Sequence, residues 1–123
     1  MTEKKDYQTQ QKLHHIVEAL KEKKGQDILT INLEQSGSAF CDYFVICHGN
    51  STTQVDALSH SVIRRLKKEM KETAHHIEGT NNSIWVLLDY SEILVHVFIE
   101  EKRSFYNLED LWADGKLERV FEE

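Results

Sequence analysis

The stretch WVLLDYSEILVHVF, residues 85–98, predicts two β-strands joined by a tight turn. Apolar residues recur at alternate positions on both sides of Tyr90-Ser91, which is the period of a half-buried strand. The turn lacks the Asn-Gly pair that is typical of two-residue hairpin loops, so the pairing depends on where the turn is centred. A turn centred on Tyr90-Ser91 pairs Asp89 with Glu92, Leu87 with Leu94, and Trp85 with His96.

Opposed residues share one face of a sheet, so the hairpin divides into two sets of side chains. One face is wholly aliphatic and is expected to pack under helices: Ile84, Val86, Leu88, Ile93, Val95 and Val97. The other, called the mixed face below, carries Trp85, Leu87, Asp89, Glu92, Leu94, His96 and Phe98. If the helices cover only the aliphatic face, the mixed face is left uncovered and resembles the centre of a protein interface. The alternative is structural: Trp85 lies under the C-terminal segment, and His96 is a half-buried, hydrogen-bonded histidine.

Before the hairpin, the sequence predicts a helix, two strands and a second helix. The first helix covers residues 8–24, with an apolar stripe and Gly25 at the C′ position. Strands follow at 27–33 and 43–47, and the second is continuously apolar, as in a strand buried on both faces. Ser51 and Gln54 fit a capping box for a helix that reaches residue 71, and a short strand is expected near 75–77. We therefore expect one α+β domain over residues 1–123, with its core at about 8–113, a mixed sheet, and helices on one face.

Composition restricts the class of protein and its partners. The chain has 123 residues, 40% hydrophobic and 29% charged, with a formal net charge of -6. It contains no apolar run of membrane-spanning length, and its first residues lack a secretory signal, so we expect a cytoplasmic protein. Cys41 and Cys47 form no CxxC motif and are expected to be buried thiols. The negative charge favours a basic partner and predicts little or no direct nucleic-acid binding.

The sequence predicts no catalytic or metal-binding residues. The start of the second helix, His48-Gly-Asn-Ser51, could bind an anion, but helix capping explains it better. The order of elements is similar to that of nucleotidyltransferases, which need paired carboxylates on a strand to hold two metal ions. Alternate positions Leu94 and His96 of the corresponding strand supply none. The adjacent pairs among the seven histidines lack the i, i+4 spacing of a helical zinc site, and no cofactor is expected.

The C-terminal segment is acidic. Residues 100–123 contain eight acidic and four basic residues, which account for -4 of the net charge. Asn107 is a suitable N-cap for a short helix with Leu108, Leu111 and Trp112 on one side. Either this helix docks on the sheet edge, or its acidity borders the mixed face and attracts a basic partner.

Motifs distributed along the chain carry a resemblance to a known family. They are Gly25-Gln-Asp27, Asp42-Tyr-Phe-Val-Ile46, Gly49 with Ser51, Glu78-Gly79, Trp85-Val-Leu-Leu-Asp-Tyr90, Val95-His-Val-Phe98 and Arg103-Ser-Phe-Tyr-Asn-Leu-Glu-Asp-Leu-Trp112. Each motif is weak alone, but their order and spacing are specific. From about Leu13 to Trp112 the chain resembles the Iojap-like ribosome-silencing factors (RsfS). One departure is Ser91, where family members usually have glycine, and the extension after Trp112 is not explained by the resemblance.

The resemblance implies a nucleotidyltransferase-like fold without catalytic carboxylates and a non-enzymatic function. It implies binding to the large ribosomal subunit through ribosomal protein fourteen, a basic β-barrel, which blocks the small subunit and represses translation. It also implies a role in large-subunit biogenesis, and homodimers off the ribosome. The expected partner-binding residues are Trp85, Leu87, Asp89, Tyr90, His96, Tyr106, Leu108, Glu109 and Trp112. The alternatives are a homodimeric adaptor for another basic partner and a metal-dependent nucleotidyltransferase.

Overall fold

The computed structural model describes residues 2–34, 41–106 and 116–119, with side chains over 7–34 and 41–103. Its elements, in chain order, are α1 Thr2–Glu22, β1 Gln26–Asn32, β2 Tyr43–Gly49, α2 Thr52–Met70, β3 His76–Glu78, β4 Trp85–Asp89, β5 Ile93–Ile99, α3 Glu100–Tyr106 and β6 Lys116–Arg119. Helix α1 begins six residues before its predicted start, because that start was set by an apolar stripe which the polar first residues do not share. Helix α3 and strand β6 were not predicted.

The strands form one six-stranded sheet in the order β3-β4-β5-β2-β1-β6. Strands β2 and β5 are parallel, and every other neighbouring pair is antiparallel. The predicted α+β fold with a mixed sheet is therefore confirmed. Strand β2 lies inside the sheet, and all its residues except His48 are buried, which explains its continuous apolar sequence.

Helices α1 and α2 contact each other and pack on one face of the sheet. Ile84 is only partly buried, whereas the other residues of the predicted aliphatic set lie under them, each 0% exposed: Val86, Leu88, Ile93, Val95 and Val97. We call the cluster that these residues form with both helices the helix-side core.

The mixed face is not left uncovered at its centre, so the structural alternative that the sequence left open holds there. A second apolar cluster occupies that face, and it contains Leu29, Ile31, Leu33, Cys41, Phe44, Ile46 and Phe98, with Trp85 and Leu94 packed against it. His96 is only 5% exposed and Phe98 only 1%. Strands β1 and β2 contribute Leu29, Ile31, Phe44 and Ile46 to this cluster, beside the hairpin residues in the middle of the sheet.

The ends of α1 and α2 follow the predicted capping with small differences. Lys24, with φ 62°, takes the left-handed C′ position, and Gly25 follows it, donating from its N–H to the Leu20 carbonyl at 2.8 Å. Gly25 is required for another reason: a Cβ there would lie 2.7 Å from Cys47 Sγ. At the start of α2, Ser51 Oγ accepts from the N–H of Gln54, whose Oε1 accepts from the N–H of Asn50.

Both cysteines are buried free thiols, as predicted. Burial raises the pKa of the Cys41 thiol to about 11. None of the helices in the described part of the chain is long and apolar enough to cross a membrane.

Candidate protein-docking surface

The hairpin of β4 and β5 places the candidate residues. The N–H of Tyr90 donates to the Ile93 carbonyl at 2.9 Å, which leaves Ser91 and Glu92 as a two-residue loop. Trp85 therefore pairs with Phe98, Leu87 with His96, and Asp89 with Leu94. The predicted partners were wrong by two residues. The division of the strand residues between the two faces is nevertheless confirmed, because a shift of two preserves the side of every strand residue.

The geometry of this loop explains how serine is accommodated at position 91, and it corrects the face that was predicted for Glu92. Ser91 has φ 70°, in the left-handed region that glycine adopts easily, and Asp89 Oδ1 accepts from its N–H at 2.8 Å. Glu92 does not belong to the mixed face. Its carboxylate binds Lys12 Nζ of α1 at 3.0 Å, on the helical side of the sheet.

Trp85 is held by its neighbours and remains partly exposed. Its indole stacks on Phe98, with ring centroids 5.1 Å apart and an interplanar angle of 28°. Its Nε1 donates a hydrogen bond to Nδ1 of His96 at 3.2 Å. Phe44 packs edge-on against His96, with centroids 4.8 Å apart. These contacts fix the orientation of the indole before any partner arrives.

His96 is neutral at physiological pH. Burial lowers the pKa of its imidazole from 6.5 to about 4. The hydrogen bond from Trp85 requires a lone pair on Nδ1, so the ring proton lies on Nε2. His96 therefore presents no charge to a partner, and this geometry suits a residue that positions Trp85.

Strand β3 extends the mixed face towards the edge of the sheet. It pairs His76 with Asp89 and Glu78 with Leu87, so these four side chains share a face. His76 and Glu78 are exposed and lie 2.9 Å apart, from Nε2 to Oε2. We call the accessible part of this face the outer strip, which consists of Trp85, Leu87, Asp89, Leu94, His76 and Glu78.

Sequence reasoning missed His76 and Glu78 as surface partners of the hairpin, because a three-residue strand carries little periodicity. A short strand was predicted near 75–77, and the signal that could have placed it beside the hairpin is the glycine after it. Gly79 has φ 87°, and a Cβ there would lie 1.9 Å from the Trp85 carbonyl oxygen. Only glycine allows the backbone leaving β3 to approach the start of β4 so closely.

Tyr90 does not belong to the docking surface, which corrects the prediction from sequence. It is 0% exposed and lies in the helix-side core. It follows Asp89 directly, so strand alternation turns it to the opposite face. Burial raises the pKa of its phenol to about 12. The Tyr106 side chain and residues Leu108, Glu109 and Trp112 lie outside the described residues.

The arrangement of β2, α2 and β5 corresponds to the one considered for metal-dependent phosphoryl transfer. Strand β5 is parallel to β2, and Leu94 and His96 occupy the positions where carboxylates would be needed. Ser51 and Gln54 side chains already accept from the backbone N–H groups at the start of α2. Within residues 7–34 and 41–103, no three His, Cys, Asp or Glu side chains are grouped to hold a metal ion.

The chain is similar to ribosomal silencing factors over most of its length. The family model described as "Ribosomal silencing factor during starvation" matches residues 6–123. Ribosomal silencing factor RsfS from Bacillus subtilis is 41% identical over 102 residues, which cover 80% of this chain and 82% of that protein. The protein of the same name from Halalkalibacterium halodurans is 37% identical over 106 residues, covering 86% and 89%. A crystal structure of a Chromobacterium violaceum protein superposes with a TM-score of 0.80 at 30% identity and covers 92% of each chain.

Proposed function

This chain belongs to the ribosomal silencing factor family, and from that premise we propose that it represses translation by occupying the large ribosomal subunit. It acts in the cytoplasm and docks on ribosomal protein fourteen, a basic protein, through the outer strip. The bound factor excludes the small subunit by its volume. No bond is made or broken in this mechanism, so it needs no catalytic residue, metal or cofactor.

The partly exposed, pre-oriented indole of Trp85 carries the proposal. Its stacking on Phe98 and its hydrogen bond to His96 remove much of its rotational freedom before binding. A side chain that is already ordered loses less entropy when a partner covers it. Central tryptophans are typical hot spots of protein interfaces, where truncation costs about 2 kcal/mol or more.

The charge of the outer strip suits a basic partner. Asp89 and Glu78 lie beside the apolar residues Leu87 and Leu94, which gives an apolar centre next to an acidic rim. Rim charges mainly affect the rate of association and its dependence on salt. Lys and Arg residues of the ribosomal protein would pair with these carboxylates.

Subunit reassociation tests the proposal directly. Purified small and large subunits are mixed with the wild-type protein or with Trp85→Ala, and joined particles are measured by sedimentation. We expect the wild type to lower the yield of joined particles and Trp85→Ala to require a concentration about thirtyfold higher for the same effect. Tyr7→Ala is the matched control, because Tyr7 is an aromatic residue on α1 that is 66% exposed.

A second variant tests the negative charge of Asp89 while keeping the turn that this residue stabilises. Asp89→Asn removes the negative charge but keeps an oxygen that can accept from the Ser91 N–H and hold the turn. We expect Asp89→Asn to associate more slowly with the ribosomal protein and to lose part of the salt dependence. Equal inhibition of joining by wild type, Trp85→Ala and Asp89→Asn would refute docking through the outer strip.

A homodimeric adaptor for another basic partner is the competing function. Pull-down from lysates with and without ribosomes distinguishes the two, because the proposed repressor is expected to recover ribosomal protein and large subunits. Recovery of the same non-ribosomal protein from both lysates would favour the adaptor.

A further inference from the structure

Positive charge is concentrated in one part of this acidic chain. Of its 15 basic and 21 acidic residues, residues 64–71 alone hold five basic residues and one acidic residue. This segment is the last part of α2 and the residue that caps it. The acidic net charge of the chain therefore coexists with a locally basic surface. This surface lies on the helical layer formed by α1 and α2, on the opposite side of the sheet from the outer strip.

Three of these five basic residues border a groove between α1 and α2. The groove has a volume of about 350 Å³, and its lining is Glu22, Ser61, Arg64, Arg65, Lys68 and Glu69. Positions 61, 64, 65 and 68 follow an i, i+3, i+4, i+7 spacing, which places them on one side of a helix. Two carboxylates line the groove beside three cations, so its own surplus is one positive charge. Lys23 and Lys24, exposed at the end of α1, and Lys71 at the end of α2 add to the charge of this layer.

Hydrogen bonds between the helices fix the basic side of the groove. Arg65 Nε donates to His15 Nδ1 of α1 at 3.1 Å. This bond requires a lone pair on Nδ1, so the His15 imidazole is neutral when it forms. Ser61 Oγ donates to the Ala19 carbonyl at 2.9 Å. The Arg65 guanidinium uses only Nε in the bond to His15, and a guanidinium held in one place suits phosphate oxygens better than a mobile ammonium.

We propose that this groove binds the phosphate backbone of RNA. The basic positions that line the groove, 64, 65 and 68, extend over about 6 Å of helix, which suits neighbouring phosphates rather than one isolated anion. The inference rests on the proposed function, because a large ribosomal subunit offers RNA beside its proteins. It departs from the expectation drawn from net charge, since phosphate binding depends on local cations.

Fluorescence anisotropy with a labelled RNA hairpin tests the groove. We compare Arg64→Ala/Lys68→Ala with Lys67→Ala/Lys102→Ala, a control that removes the same charge from exposed residues that do not line the groove. The groove variant is expected to bind about tenfold more weakly at low salt. Its slope of log affinity against log salt should be lower by about two, one for each lost phosphate contact. The control is expected to stay within about twofold of the wild type, since non-groove lysines lack a fixed phosphate contact.

Three results would overturn the inference. They are no RNA binding by the wild type, an equal loss in the control variant, or tighter binding to polyglutamate than to RNA at matched charge. The last result would point to an acidic protein partner instead. Trp85→Ala separates this proposal from the docking proposal, because it should bind RNA normally while losing the ribosomal protein. The groove variant should show the reverse.

Discussion

At the scale of single residues, His96 links the interior of the sheet to its surface. Its ring is 5% exposed, yet it accepts the hydrogen bond from the partly exposed Trp85. A buried imidazole that must stay neutral makes this contact sensitive to pH, because protonation would turn the acceptor into a donor facing another donor.

The depressed pKa of His96 predicts a stability that falls in mild acid. The folded chain binds this proton at a pKa of about 4 and the unfolded chain at 6.5, so the unfolded state holds more protons between these values. The contribution of His96 is complete above the unfolded pKa and is lost as pH falls towards the folded one. On going from about pH 7 to about pH 5, the free energy of unfolding should drop by about 2 kcal/mol through this residue.

Urea unfolding of wild type and His96→Asn at both pH values measures this effect. Asparagine Oδ1 can replace Nδ1 as acceptor for Trp85 but does not titrate. The pKa of His15 is also lowered, chiefly by burial and then by Arg65, but both proteins share that contribution. An identical loss of stability in both proteins between the two pH values would show that His96 is not the responsible group.

At the scale of elements, Lys12 joins three parts of the fold. It lies on α1, is 3% exposed, and binds Glu72 at 2.8 Å and Glu92 at 3.0 Å. Glu72 follows α2, and Glu92 lies in the loop between β4 and β5. Burial lowers the pKa of Lys12, but its hydrogen bonds to the two carboxylates outweigh burial and leave that pKa raised.

Lys12→Met should destabilise the fold more than the loss of one ordinary ion pair. It leaves two carboxylates near each other without their shared cation. Both carboxylates are partly exposed, so we expect a loss of about 2 kcal/mol rather than the larger cost of a fully buried pair. Thermal or urea unfolding of Lys12→Met, Glu72→Gln/Glu92→Gln and the triple variant completes the cycle. The triple variant is expected to be more stable than Lys12→Met, and the opposite order would contradict the shared-cation interpretation.

Strand alternation predicted the faces of the hairpin but not its register. The pattern around Tyr90-Ser91 is compatible with loops centred at either of two positions, because a shift of two residues leaves every strand side chain on its own face. The structure decides through contacts from elsewhere in the chain. Lys12 holds Glu92 in the loop, and the N–H groups of Asp42 and Tyr43 donate to the Glu92 carbonyl at 2.8 and 3.0 Å.

At the scale of the whole molecule, the two sides of the sheet carry different chemistry. The outer strip combines an indole with carboxylates, whereas the helical layer carries a groove bordered by arginine and lysine. A protein with both surfaces can contact a basic protein and an RNA backbone at the same time. We propose that this separation allows an acidic chain to bind a ribosomal surface.

The separation predicts additive effects on binding to large subunits. Trp85→Ala and Arg64→Ala/Lys68→Ala alter opposite sides of the sheet and share no described contact, so their losses of binding free energy should sum within about 0.5 kcal/mol. Co-sedimentation of wild type, both variants and their combination with purified large subunits measures the cycle. A combined loss no greater than that of either variant would mean that both belong to one interface.

The sequence by itself determined the α+β class, the aliphatic face under the helices, the buried strand β2 and the cap at Ser51. These features depend on local periodicity and on residues close together in the chain. It also predicted Trp85 and Asp89 as candidate docking residues, because the hairpin motif lies in one continuous segment.

Only the tertiary structure decided which of those candidates a partner can reach. Phe98 and His96 are buried beside apolar residues of β1 and β2, which lie far away in the sequence. Tyr90 points into the helix-side core, and Glu92 is drawn to Lys12 on the helical side. Strand β3 adds His76 and Glu78 beside Asp89 and Leu87, and packing of α1 on α2 forms the basic groove. The exposure of a side chain and the charge of a surface depend on several elements together. No periodicity within one element could therefore have revealed them.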